Sequence, residues 1–268
     1  MTHVQGVWFP QIYEATKNNV HLKKIDRLKS VSDDQFTAYA SKSLPFVVKN
    51  VFNSFNKRKA KQILKSDFGS QQIEVRYGVL DEAGIFLERK TSKNLLGDYL
   101  KILRDKSNEV VVYAGNNNVE LQLLEALNIT YPPFYQSNFY NIPRMWFGPK
   151  KAVTPLHKDI TDNFSYNYFG KKKWIIYPPS DYPYLYMADL GLKDFPDFEL
   201  GAVDIFKPDL SKFPEFNKAR GIEVIMHSHE LLYLPAGWSH HVINLEETLM
   251  FNFWLLRDKS PAVLGKDE

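Results

Sequence analysis

The sequence predicts an α+β protein, mainly β, in which helices precede a sandwich or barrel of short strands. Three observations predict it. Segments with helical periodicity occur only before about residue 137. From about residue 138, eight short β-type runs follow, and turn residues separate many of them. Aromatic residues reach 15%, with 19 Phe and 15 Tyr, which suits β packing and an enclosed pocket. The 268 residues suffice for one large domain with a substantial core.

Each element can be justified in order. Residues 30–42, SVSDDQFTAYASK, read as a short helix: Ser32 can cap it, acidic residues fill the first turn, and Phe36 and Tyr39 share a side. LPFVVKNV (44–51) reads as a strand, and FNKRKAKQILKSDFG (55–69) as a helix ending near Gly69. QIEVRYG (72–78) alternates like a strand. KNLLGDYLKILRDK (93–106) carries Leu95, Leu96, Tyr99, Leu100 and Leu103 at helical spacing. EVVVYAG (109–115) is a β run and VELQLLEALNI (119–129) a helix. The later strands are expected at 143–148, 152–158, 164–169, 173–178, 222–226, 231–234, 240–245 and 248–255. Between them, the Pro-, Asp- and Phe-rich stretch 180–220 reads as an insertion of irregular structure, a form long loops take as lids or binding loops.

The composition excludes several function classes. There is no cysteine, which removes disulfides, thiolate metal sites and thiol nucleophiles. The net charge of +3 is too small to argue for nucleic acid, and the basic run Lys57-Arg58-Lys59-Ala60-Lys61 reads as a solvated helix face. The N-terminal residues do not form a signal peptide and no apolar run reaches a membrane span, so the expected location is cytoplasmic, with no membrane partner.

The chemistry begins at TPLHKDITDN. On a strand, residues i and i+2 share a face, so His157 and Asp159 can chelate one cation while Lys158 points away. Two histidines and one carboxylate leave open positions on a metal, the pattern of non-haem iron oxygenases. The His-x-Asp triplet alone is common by chance. A second histidine is sought in LLYLPAGWSHHVINLEETLMFNFW (231–254), where His240 and His241 are adjacent and alternation lets one of them face a pocket. His3 and His21 carry little weight, and His227 and His229 fall in an expected turn.

Taken together, Thr154, His157, Asp159, Asn163, Gly170, Lys172 and WIIYPP, followed distally by Pro235, Trp238, His240, Val242, Asn252 and Trp254, resemble the JmjC or cupin-like Fe(II)- and 2-oxoglutarate-dependent oxygenases. The small hydroxylases typified by the asparaginyl hydroxylase of hypoxia-inducible factor are similar in pattern. The resemblance covers about residues 25–256. It departs from the family at Ser239, where an aromatic is usual, and at His229-Glu230, where Gly-Asp is common.

The resemblance implies a double-stranded β-helix, a jelly roll, with the N-terminal helices packed outside. It assigns 1–24 to an N-terminal segment, 25–256 to a single domain with the 180–220 insertion, and 257–268 to a tail. It implies Fe(II) on His157, Asp159 and His240, the three residues also expected to be catalytic. It implies 2-oxoglutarate held by Lys172, Thr154 and a tyrosine, for which Tyr113 is the candidate, with Asn163 and Asn252 lining the cofactor pocket. The implied reaction is hydroxylation of a protein or peptide side chain, with succinate and CO2 as co-products. The alternatives are a cupin-type metalloenzyme that does not use 2-oxoglutarate, a small-molecule hydroxylase, and an N-methyl demethylase. A binding module without turnover is the non-enzymatic alternative. A homodimer is an expected partner state, although the chain ends soon after its last strand, where some relatives carry a helical dimerisation extension.

Overall fold

The computed structural model describes residues 22, 24–78, 90–105, 111–133, 142–189 and 199–255. His3, His21, most of the N-terminal segment, the tail 257–268 and part of the insertion lie outside them.

The helical half opens with strand β1 (Asp26–Leu28), which the sequence reading did not anticipate, and then α1 (Asp33–Ser41). Ser32 caps α1: its hydroxyl accepts from the Gln35 backbone N–H while the Gln35 side chain accepts from the Ser32 N–H, satisfying two otherwise orphaned donors. Strand β2 (Phe46–Lys49) and α2 (Lys57–Ser66) follow, the latter capped by the Asn56 side chain. Strands β3 (Gln72–Gly78) and β4 (Lys90–Leu95) pair antiparallel, with Gln72 opposite Leu95. That pairing corrects the expected 93–106 helix. Lys93 to Leu95 are drawn into the ladder, and α3 (Leu96–Ile102) starts only afterwards. Strand β5 (Val111–Asn118) and α4 (Leu121–Ala126) complete this half.

The second half is almost all strand: β6 (Arg144–Gly148), β7 (Val153–Lys158), β8 (Asp162–Phe169), β9 (Lys172–Tyr177), β10 (Met187–Asp189), β11 (Glu199–Gly201), β12 (Ile222–Met226), β13 (Glu230–Leu234), β14 (Ser239–Asn244) and β15 (Thr248–Leu255). They form two sheets, one ordered β1-β2-β13-β8-β15-β6-β5-β3-β4 and the other β10-β11-β7-β14-β9-β12. This is the predicted jelly roll. The insertion is more regular than expected. It contributes the β10–β11 hairpin, which extends the second sheet beside β7, and two short 3-10 helices.

Strand alternation divides the core. On β8, Phe164, Tyr166 and Tyr168 pack in the cluster that includes α1–α4, whereas Asn163, Ser165 and Asn167 alternate with them on the other face. Both faces of β8 are covered, so the strand is buried along its whole length. Val47, Trp146, Trp174, Leu232 and Met250, drawn from both sheets, fill a second cluster. A third, built on Leu156 and Tyr177, lies under the insertion. Among the described residues no helix is long and apolar enough to cross a membrane.

Candidate metal centre

His157, Asp159 and His240 each offer one ligand atom, and these atoms all lie within 4.8 Å of one another. Adjacent strands bring the two histidines together: β7 and β14 pair antiparallel with His240 opposite His157, and the rings are 4.1 Å apart. Strand β7 ends at Lys158, so Asp159 reaches the group from the turn that follows, where its carbonyl accepts from the Gly237 N–H at 3.0 Å. The Lys158 ammonium lies 4.0 Å from the Tyr182 ring, within the insertion.

Each histidine is oriented by the carbonyl two residues before it. His157 Nδ1 lies 2.7 Å from the Pro155 oxygen and His240 Nδ1 lies 3.2 Å from the Trp238 oxygen. If Nδ1 carries the proton in both, each Nε2 is left as a lone-pair donor, the tautomer a metal ligand needs. Burial, with the neighbouring His157, lowers the His240 pKa to about 3, so this ring stays neutral. Trp174 stacks on it at 5.2 Å. Asp159 is held by Asn163, whose Nδ2 donates to Oδ2 at 2.8 Å. Asn163 Oδ1 in turn accepts from Asn252 Nδ2 at 2.8 Å and from the Ser165 hydroxyl at 3.0 Å.

A bulge shapes the rest of the site. From His240 to Val242 strand β14 advances two residues, while its partners His157 and Thr154 are three apart. In a regular strand Thr154 and His157 would face opposite ways; the extra residue, at Pro155-Leu156, lets both line one cavity. That cavity also takes in Asp159, Asn163, Lys172 and Asn252.

Lys172 is fully buried, and burial alone pushes its pKa down to about 7. Among the described residues no carboxylate lies within ion-pair distance of it; its ammonium donates to the Tyr113 hydroxyl at 3.4 Å. Thr154 hydrogen-bonds the same hydroxyl, whose pKa burial raises to about 12. Tyr113 has room because Gly148 faces it: a Cβ on Gly148 would sit 2.4 Å from the Tyr113 ring. The structure thus brings the Lys172, Thr154 and Tyr113 side chains together at one side of the cavity.

The other described histidines are elsewhere. His241 meets Phe206 of the insertion at 5.2 Å. His229 lies in the turn before β13 and contacts the Tyr166 hydroxyl through Nδ1 at 3.2 Å. Sequence reasoning missed Ser165 and Gly148, which carry no motif. It left Trp146 unremarked, took Trp174 for a core residue and weighed Trp254 between pocket wall and core; all three line the cavity, and their indole N–H groups are buried without a partner.

A family model described as a cupin-like domain matches residues 32–258. Among curated relatives, the "2-oxoglutarate and iron-dependent oxygenase JMJD4" of Gallus gallus is 33% identical over 111 residues, covering 40% of this chain and 25% of that protein. The "Bifunctional peptidase and (3S)-lysyl hydroxylase JMJD7" of Homo sapiens is 31% identical over 125 residues, 41% of this chain and 40% of that protein. The "Arginine-specific demethylase JMJ20" of Arabidopsis thaliana is 36% identical over 115 residues, 41% of this chain and 23% of that protein. The matches therefore span between about a quarter and two fifths of these relatives' lengths.

Proposed function

Because this chain belongs to the cupin-like domain family, we propose that it is an Fe(II)- and 2-oxoglutarate-dependent oxygenase that hydroxylates a protein or peptide side chain. Residues 25–256 act as one domain in this reading, and the protein works in the cytoplasm. The names of the JMJD4 and JMJD7 relatives support the activity and its cofactors.

The donors fit the metal. Two imidazoles and a carboxylate within 4.8 Å are the set that non-haem iron oxygenases use, and they leave part of the coordination sphere for other ligands. The observation that carries the reading is Lys172, a buried amine without a carboxylate partner among the described residues, lining the same cavity as the metal group. A cupin that used no keto acid would have no use for it. When bound, iron and 2-oxoglutarate together supply the oxidising equivalent that converts a C–H bond to C–OH, with release of succinate and CO2.

The chain's own residues do the rest. His157, Asp159 and His240 would hold the metal, each preset by its hydrogen bond to Pro155, Asn163 or Trp238. Lys172, Tyr113 and Thr154 would bind the distal carboxylate of 2-oxoglutarate and fix its direction. Asn252, whose Oδ1 is buried without a partner, and Asn163 border the cofactor and limit its rotation. The tryptophan walls exclude water.

The test is to incubate the protein with Fe(II), 2-oxoglutarate and a peptide pool, following succinate and searching the peptides by mass spectrometry. Succinate formation with one oxygen added to a peptide is the expected result. Loss of a methyl group would indicate demethylation, and peptide oxidation without succinate that survives Lys172→Ala would indicate a cupin that does not use the keto acid.

A further inference from the structure

The cavity is rich in donors and poor in negative charge. Trp146, Trp174 and Trp254 line it, and each carries a buried indole N–H without a partner. Asp159 is the one carboxylate among the described residues that line it, and that group faces the metal ligands. Next to three of the lining residues stands Arg144, the first residue of β6, paired across the ladder with Asn252 and sharing a strand face with Trp146. The Arg144 guanidinium lies 5.7 Å from the Trp254 ring and donates through Nη1 to the Asn118 side chain. Its Nε is buried without a partner, and among the described residues no carboxylate lies within ion-pair distance of it. The Arg76 guanidinium sits in the same way over the ring of Trp146, at 5.9 Å.

Three tryptophans around a cavity could form a cage for a cationic ligand. Here guanidinium groups lie against two of those rings, and the third stacks on His240. A lysine or arginine side chain entering this space would meet like charge at Arg144, where no described carboxylate lies within ion-pair distance. A carboxylate would instead find a charged donor in Arg144 and indole donors beside it.

We propose that Arg144 is a specificity-determining residue that binds a carboxylate of the substrate, so that the side chain oxidised is acidic or lies beside an acidic group. The proposal rests on the oxygenase reading above. The carboxylate can belong to a peptide or to a small organic acid, and the experiment separates the two.

The full-length protein, supplied with Fe(II), is assayed for conversion of 2-oxoglutarate to succinate in five arms: no added substrate, pools of synthetic peptides rich in Asp and Glu, in Asn and Gln, or in Lys and Arg, and a pool of small monocarboxylic acids. The expected result is stimulation by the acidic peptides or the organic acids, about tenfold or more above the Lys and Arg pool, as loss of one charge-assisted hydrogen bond predicts. Arg144→Gln is expected to raise KM for the stimulating pool about tenfold with kcat little changed, and Arg144→Lys to recover part of the loss. Arg144→Glu should shift preference toward the Lys and Arg pool, an outcome misfolding cannot produce. Absence of succinate in every arm would sink the oxygenase reading itself. Succinate formed with no preference for carboxylates, or a preference that survives Arg144→Gln, would overturn the assignment of Arg144 alone.

Discussion

An ammonium sealed inside a barrel must lose its proton or meet an anion, and Lys172 has both routes. Its pKa is lowered by burial from 10.5 to about 7 in the folded chain. Below about pH 7 both folded and unfolded chains carry the proton, so the burial penalty is fully present; it is relieved as pH rises from about 7 toward 10.5, where only the unfolded chain stays charged. The unliganded protein should therefore gain stability across that window. A urea titration at several pH values checks this, and Lys172→Met should lose the slope. A bound carboxylate favours the charged form, so 2-oxoglutarate should bind more weakly as pH rises above about 7, with proton uptake visible by calorimetry in buffers of different ionisation enthalpy. His157→Ala, Asp159→Ala and His240→Ala should each remove stoichiometric Fe(II) binding, measured anaerobically, while leaving a folded chain. At this scale the motif residues were legible only in combination: His-x-Asp is common alone and Lys172 stands in a run of three lysines, so the resemblance of the whole set picked them out. Ser165, Gly148 and the tryptophan donors were not. A serine behind an asparagine, or a glycine making room for Tyr113, leaves no pattern in one sequence; each is defined by what lies across the sheet.

Elements with strong local signals were read closely. The α1 cap is an example: the Ser32–Gln35 box is spelled out in the sequence and formed in the structure. Ser32→Ala should cost about 1 kcal/mol in chemical denaturation. Phe36 on the buried side of the same helix meets Phe46, Phe164 and Tyr233, and Phe36→Ala should cost about 3–5 kcal/mol. The late strands were legible for a similar reason, since β-branched and aromatic runs between turn residues rarely do anything else. Where the reading erred, tertiary pairing overrode local periodicity. Residues 93–95 have helical spacing yet lie in β4 because β3 presents an open edge. The β10–β11 hairpin in the insertion was invisible because its strands are short and its partner β7 precedes it by about 40 residues.

At the scale of the molecule, the two sheets of the jelly roll divide the labour. The sheet containing β7 and β14 carries both histidines, and Asn163 and Asn252 on β8 and β15 of the other sheet support Asp159 from across the cavity. A metal bridging residues so far apart in sequence binds only the folded chain. Fe(II) at about 100 times its dissociation constant should therefore stabilise the protein by about 2.7 kcal/mol, read as a rise in melting temperature that the triad variants lack. The irregular step in β7 adds a different kind of consequence. Removing Pro155 by deletion would leave Thr154 two residues from His157, in step with Val242 and His240, so both side chains would still face the cavity from an even strand. Such a chain should keep both the iron ligands and Thr154 in place, so the bulge marks a spot where β7 can lose one codon without dismantling either half of the cofactor site.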